Sequence, residues 1–202
     1  MARKAGDAFA VWVTGLPASG KSTLSRALVS QLALHGIEVA VLESDAMRQV
    51  FTPNPSYSEE ERAVFYSQIT WVGALLVHHG VPVIFDATAN RRSLREAGRR
   101  AIPRFIEVYV DCPLEVCMAR DPKGIYRRAR QDDASSVPDL QASYEPSEKP
   151  EVVVYGDREA PESAARRVMA KLLEKGYIQS VAETQTAGAA EDSKVTTGPS
   201  EG

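Results

Sequence analysis

The sequence is poor in cysteine, lacks a large charge of either sign and contains no long apolar run, and each shortage removes a class of protein. Only two cysteines occur, Cys112 and Cys117, too few and too closely spaced for a disulfide framework or a four-ligand zinc site. They read as buried, reduced thiols. The formal net charge is −3, and residues 181–202, with Lys194 against Glu183, Glu191, Asp192 and Glu201, account for all of it. The remainder is near neutral and lacks the basic balance of a duplex-binding protein, so no nucleic-acid partner is expected. No apolar run reaches the length of a membrane span. The opening MARKAGDAFAVWVTGL is interrupted by Asp7 and flows into a glycine loop, unlike a secretory leader. No membrane partner is expected, and the cytoplasm is the expected compartment. Residues 181–202 also hold no aromatic, leucine or isoleucine and read as a disordered tail. Ahead of them, residues 1–180 read as one globular domain, in keeping with a chain that is 44% hydrophobic and 25% charged.

What the sequence does contain is a regular alternation. Apolar runs at Ala8–Thr14, Glu38–Leu42, Pro82–Phe85, Phe105–Val110 and Val152–Tyr155 read as strands. Between and after them, helices are predicted at Lys21–His35, Ala46–Phe51, Ser58–His79, Arg91–Ala101, Pro113–Arg120 and Glu162–Lys175. Strand and helix in turn imply parallel strands with helical crossovers. Runs too uniformly apolar to have a wet face imply a sheet covered on both sides, a three-layer doubly wound α/β fold. The stretch from Asp121 to Pro150 breaks the rhythm with Pro122, Pro138 and Pro146 and reads as a lid. His35, His78 and His79 fall at helix ends before turns, where termination explains them.

Between the first strand and the first helix lies Gly15-Leu16-Pro17-Ala18-Ser19-Gly20-Lys21-Ser22-Thr23, which fits G-x-x-x-x-G-K-S/T in the context that motif requires. The glycines let backbone N–H groups turn inward around a β-phosphate, and the helix that follows adds the positive end of its dipole. Lys21 is placed to bridge the β- and γ-phosphates, and the Ser22 hydroxyl to ligate Mg²⁺. The fold is therefore expected to be of the P-loop NTPase, nucleoside-kinase-like kind. The guanine-reading N-K-x-D is absent, which favours ATP as the nucleotide.

Strand two ends at Glu43-Ser44-Asp45, and ligands bind at the carboxyl ends of parallel strands. An aspartate there can orient an acceptor hydroxyl and take its proton, with Arg48 one helical turn on to neutralise charge. The bland alternative is that Asp45 caps a short helix. Asp86, at the end of an apolar strand, has the form of a carboxylate supporting the metal shell. Asp111 has the same form. The strand after a long second crossover is expected beside the P-loop strand, which selects Asp86. Arg91, Arg92 and Arg95 follow at the crevice edge. In the lid, Arg120, Lys123, Arg127, Arg128 and Arg130 stand against Asp121 alone. Such cations suit closure over phosphates, with Arg120 placed to stack on adenine.

These residues resemble a known family, the adenylylsulfate kinases, over about Phe9 to Gly156. The most specific words are Phe105-Ile106-Glu107-Val108-Tyr109-Val110-Asp111-Cys112-Pro113-Leu114-Glu115-Val116-Cys117 and Ala119-Arg120-Asp121-Pro122-Lys123-Gly124-Ile125-Tyr126, with Tyr144 to Glu151 similar to the family's lid exit. The resemblance implies phosphorylation of the 3′-hydroxyl of adenosine 5′-phosphosulfate by ATP with Mg²⁺, the activation step of sulfate assimilation. Asp45 and Arg48 take the places of the family's D-G-D-N-x-x-R aspartate and arginine. Arg92 and Arg95 fall on the arginines after its S-P-F/Y. The family's F-S-x-x-x-R-x-E-N-I-R-R stands here as Tyr57-Ser58-Glu59-Glu60-Glu61-Arg62-Ala63-Val64-Phe65-Tyr66-Ser67-Gln68, which keeps Arg62 but not the asparagine or the paired arginines. Val137 to Gln141 replaces F-T-G-I-D, and Asp86-Ala87-Thr88 resembles the D-x-T element of polynucleotide-kinase-like and gluconate-kinase-like enzymes.

The expected catalytic set is thus Asp45, Lys21 and Arg48, with Asp45, Arg48, Arg62, Arg92 and Lys123 facing a small-molecule acceptor. Three readings stay open at this point: an adenylylsulfate kinase with a modified pocket, a related kinase for another small or nucleotide-like alcohol, and a nucleotide-binding regulator. A homodimer is left open as the assembly.

Overall fold

The computed structural model describes residues 7–122, 124–127 and 143–179. The expected tail, most of the expected lid and Lys123 lie outside the described residues. Five parallel strands form one sheet: β1 (Ala10–Thr14), β2 (Ala40–Glu43), β3 (Val83–Asp86), β4 (Phe105–Asp111) and β5 (Val152–Tyr155), in the order β2-β3-β1-β4-β5. Among the described residues, these helices connect or flank them: α1 (Lys21–Leu34), α2 (Ser44–Phe51), α3 (Glu59–His78), α4 (Arg92–Ala101), α5 (Leu114–Arg120) and α6 (Pro161–Glu174). The doubly wound arrangement expected from the alternation is present. Element ends move by a residue or two, as hydrogen-bonded boundaries commonly do.

The two faces of the sheet are visible in β1 and the residues before it. Phe9, Val11 and Val13 join Leu24, Leu28, Leu32, Val168 and Leu172 in a core under α1 and α6. Ala8, Ala10 and Trp12 join Phe65, Ile69, Val83 and Phe85 in a second core under α3 and α4. The period of two sends alternate side chains to opposite layers, and every residue of β1 is buried. Trp12 stacks on Phe85 with ring centroids 4.5 Å apart. Helix packing follows small residues: a Cβ on Gly98 of α4 would lie 2.9 Å from the Trp12 ring.

The expectation of five uniformly buried strands is corrected at the sheet edge. In β2 only Leu42 is buried, because an edge strand keeps one side in water. Ser58 starts α3 by accepting the Glu61 N–H at 3.2 Å, and Glu59, Glu60 and Glu61 place negative charge on its first turn.

Candidate active site

The P-loop joins β1 to α1 through backbone conformations that glycine permits. Gly15 has φ of +147° and Gly20 has φ of +108°, while Ala18 between them also sits at positive φ, +61°. A Cβ on Gly15 would lie 2.5 Å from the Val110 carbonyl, so the loop packs directly on β4. Lys21 is buried and its Nζ donates to the carbonyls of Gly15 at 3.1 Å and Leu16 at 2.8 Å, which folds the side chain back along the loop. Ser19 is fully buried and its Oγ has no hydrogen-bond partner. The cradle thus has the form of a phosphate site, with a glycine-permitted turn at a helix start, one lysine and an unfilled hydroxyl.

From this loop a cleft of about 840 Å³ runs across the carboxyl ends of the strands. Pro17, Ala18, Gly20, Lys21, Ser22 and Thr23 line its floor, and Asp45, Asp86 and Arg120 line the same space. The register explains the convergence. Val13 pairs with Asp86 and Glu43 pairs with Asp86 across adjacent parallel strands, so three strand ends deliver their last residues to one edge. Both β3 and β4 flank the P-loop strand, so adjacency alone does not choose between Asp86 and Asp111. The cleft does: Asp86 lines it and Asp111 is not among its lining residues.

Asp45 stands in the first turn of α2, and the residue in the cap position is Glu43, which makes no side-chain cap hydrogen bond. Asp45 thus stands inside the helix, two residues past the cap position. Arg48 and Arg62 are buried beside Asp45 rather than lining the cleft. Arg48 Nη1 donates to Glu61 Oε1 at 2.7 Å, and Arg62 Nε donates to the Tyr57 carbonyl at 3.0 Å. Burial, foremost, lowers the pKa of Arg62. The Tyr66 phenol, within the fields of Arg48, Arg62 and Asp45, is pushed up by its own burial and accepts the Ala89 N–H at 2.8 Å.

Arg92 and Arg95 are placed differently from a crevice-edge pair. Arg92 ion-pairs with Glu148, and its backbone N–H reaches Glu145 at 2.7 Å. Arg95 is 1% exposed, bonded to Glu107 at 2.8 Å and to the carbonyls of Ala89 and Glu145 at 2.6 and 2.7 Å. It holds the segment after β3 against the segment before β5. Cys112 and Cys117 are both free and buried. Burial, with the neighbouring Cys112, pushes the Cys117 thiol up to about 12, so Cys117 does not resemble a reactive nucleophile.

Several cleft residues were not singled out from the sequence. Asp157, Arg158 and Glu159 line the wall after β5, and Thr88 of the D-x-T element lines the same cleft. Gly156 packs behind the P-loop, where a Cβ would lie 2.0 Å from the Ser19 carbonyl. The rule that strand ends carry ligands points to all of them.

A family model, Adenylylsulphate kinase, matches residues 7–155. The chain belongs to the adenylylsulphate kinase family. An adenylyl-sulfate kinase of Microcystis aeruginosa is 41% identical over 168 residues, covering 83% of this chain and 93% of that one. A probable adenylyl-sulfate kinase of Pyrococcus abyssi is 36% identical over 172 residues, 85% of this chain and 99% of its own length. Among solved structures, the Mycobacterium tuberculosis APS kinase in complex with AMPPNP and APS superposes with a TM-score of 0.76 at 28% identity, covering 82% of this chain and 97% of that one. The matched range runs from before β1 to the end of β5, so it takes in the P-loop and all five strands. Among the described residues, no helix is long and apolar enough to cross a membrane.

Proposed function

We propose that this chain transfers the γ-phosphoryl group of ATP to the 3′-hydroxyl of adenylylsulfate, giving ADP and 3′-phosphoadenylylsulfate in the cytoplasmic activation of sulfate. The observation that carries the reading is one cleft lined together by Lys21, Ser22, Asp45 and Asp86, in a member of this family. Residues 15–23 hold the phosphate chain, with the Lys21 ammonium turning from the Gly15 and Leu16 carbonyls to the β- and γ-phosphates. Arg120 stacks over the adenine. Asp45 accepts the acceptor hydroxyl and takes its proton as that oxygen bonds to the γ-phosphorus and the bond to the β-phosphate oxygen breaks. Arg48, Arg62, Arg92 and Lys123 supply positive charge around the acceptor.

The donor set fits Mg²⁺. One hydroxyl, Ser22, and one carboxylate, Asp86, face the same space, which suits an ion that keeps waters and substrate phosphates as its other ligands. When bound there it neutralises charge on the phosphates.

A second reading, a related kinase for another oxyanion-bearing alcohol, rests on Phe65, Ser67 and Gln68, which stand where the family's motif has asparagine and two arginines. The test is an ATP-dependent assay with adenylylsulfate in the presence of Mg²⁺, reading ADP and 3′-phosphoadenylylsulfate, with Lys21→Ala as the control. Stoichiometric formation of both products, lost in the control, is expected. Absence of turnover with adenylylsulfate, with ATP still bound, would remove the first reading and leave the second.

A further inference from the structure

Arg48 lies one turn beyond Asp45 on α2, yet it does not line the cleft, and the reason is a set of contacts from the start of α3. Its guanidinium lies 4.0 Å from the ring centroid of Phe65 and 5.0 Å from that of Tyr57. The Glu61 carboxylate closes the site. One of its oxygens takes Arg48 at 2.7 Å, and the other takes the backbone N–H of Ser56, the Ser56 hydroxyl at 2.8 Å and the Tyr57 N–H at 3.0 Å. Those contacts hold Tyr57 at φ +56°, a left-handed conformation that aromatic residues seldom adopt. Glu61 also falls on a position that the family's F-S-x-x-x-R leaves unspecified.

We infer that Glu61 is a specificity-determining residue of the acceptor site: its carboxylate holds Arg48 beneath Tyr57 until an oxyanion of the acceptor takes its place on the guanidinium. The inference rests on the reading above that Asp45 faces the acceptor. An intramolecular carboxylate is present at high effective concentration, so a neutral alcohol does not displace it. A phosphate or phosphosulfate group does, because it offers several oxygens to a planar fork of donors. Ser67 and Gln68 add no cation here, so exchange at Arg48 is one of the few ways this wall meets an acceptor's charge. Glu61 thereby selects alcohols that carry an oxyanion. Release of its hold on Ser56 and Tyr57 relaxes the left-handed residue and uncovers the arginine.

The test uses the full chain with Glu61→Gln, which keeps the length and one accepting oxygen but removes the charge. Two readouts are taken: KM and kcat for adenylylsulfate, and the concentration of inorganic sulfate that shifts the Arg48 guanidinium ¹⁵N signal, assigned with Arg48→Lys. In Glu61→Gln the half-saturating sulfate concentration is expected to fall about threefold to tenfold, and the adenylylsulfate KM to fall in parallel, with kcat and the ATP KM within about twofold. Ser56→Ala, which loosens Glu61 without touching the ion pair, shifts sulfate binding the same way by less. An unchanged or higher sulfate requirement in Glu61→Gln overturns the inference, and so does a higher adenylylsulfate KM. If the wild type does not turn over adenylylsulfate, the proposed acceptor is wrong, and the sulfate titration still decides the role of Glu61.

Discussion

At the scale of single residues, the site separates groups that line the cleft from groups that hold the liners in place. Asp45 is of the first kind. Asparagine preserves its shape and caps helices as well as aspartate does, but cannot take a proton. Asp45→Asn is therefore expected to lower phosphotransfer by on the order of 10² to 10⁴-fold while ATP affinity, measured by calorimetry on the same preparation, stays within about twofold. Parallel loss of ATP binding would move Asp45 into the metal shell. Glu151 is of the second kind. Burial raises its pKa, but the Arg99 guanidinium at 2.6 and 2.9 Å and the Glu107 N–H at 2.7 Å outweigh burial and leave it below the ordinary glutamate value. A depressed carboxyl contributes stability above its unfolded pKa, near 4.3, and loses it as pH falls through the folded value. Unfolding free energy from urea titrations should thus decline as pH is lowered from about 5, and Glu151→Gln should lower stability near neutrality while flattening that decline. An unaltered acid limb in the variant would show that Glu151 does not contribute to it.

At the scale of elements, a glycine outside the P-loop sets the loop's position. Gly156, directly after β5, donates its N–H to the Asp111 carbonyl at 2.7 Å, and its missing side chain makes room for Ser19. Gly156→Ala would press a methyl to 2.0 Å of the Ser19 carbonyl, so the loop must move. ATP affinity should fall about tenfold or more, with a stability loss of about 1–3 kcal/mol. Gly176→Ala, where a Cβ meets nothing within 4 Å but φ is +65°, is the control: strain without an ATP effect. This dependence was not legible in the sequence, and the contrast with α1 shows why. The β1, P-loop and α1 unit declares itself through an eight-residue word at fixed spacing, and Asp45 and Asp86 follow from the rule for strand ends. Gly156 is important because of a carbonyl 137 positions earlier in the chain, and no local pattern records such an approach. Arg95 is similar. Its spacing placed it among crevice cations, but its partner Glu107 sits on a different element and draws it into the interior. Arg48 was rightly set one turn from Asp45, while its neutralisation by Glu61 depends on how α2 meets α3.

At the scale of the whole molecule, the described ends of the segment between α5 and β5 are tied to opposite halves of the cleft. At the donor end, Asp121 accepts the N–H groups of Tyr126 at 3.2 Å and Arg127 at 3.0 Å, and the buried Tyr126 hydroxyl donates to the Pro17 carbonyl in the P-loop at 2.9 Å. At the acceptor end, Glu145 N–H donates to the Asn90 carbonyl at 2.7 Å, and the Tyr144 hydroxyl lies 3.0 Å from Thr14 Oγ1, which also bonds the Thr88 carbonyl. One connection therefore touches both the P-loop and the segment that follows β3. If the Tyr126 contact positions the P-loop, Tyr126→Phe keeps the ring in the core formed with Leu16 and Cys117 and deletes the hydroxyl's bond to Pro17. The Pro17 carbonyl is half-buried, so leaving it without its donor costs at most about 1–3 kcal/mol. Because Pro17 and Ala18 both line the cleft, much of that cost should appear in nucleotide binding. The affinity for a non-hydrolysable ATP analogue should weaken about threefold to tenfold, with kcat at saturating ATP little changed and the acceptor KM within about twofold. A lower melting temperature with unchanged analogue affinity would instead make Tyr126 a core residue alone. A raised acceptor KM would show that the two anchors act as one body.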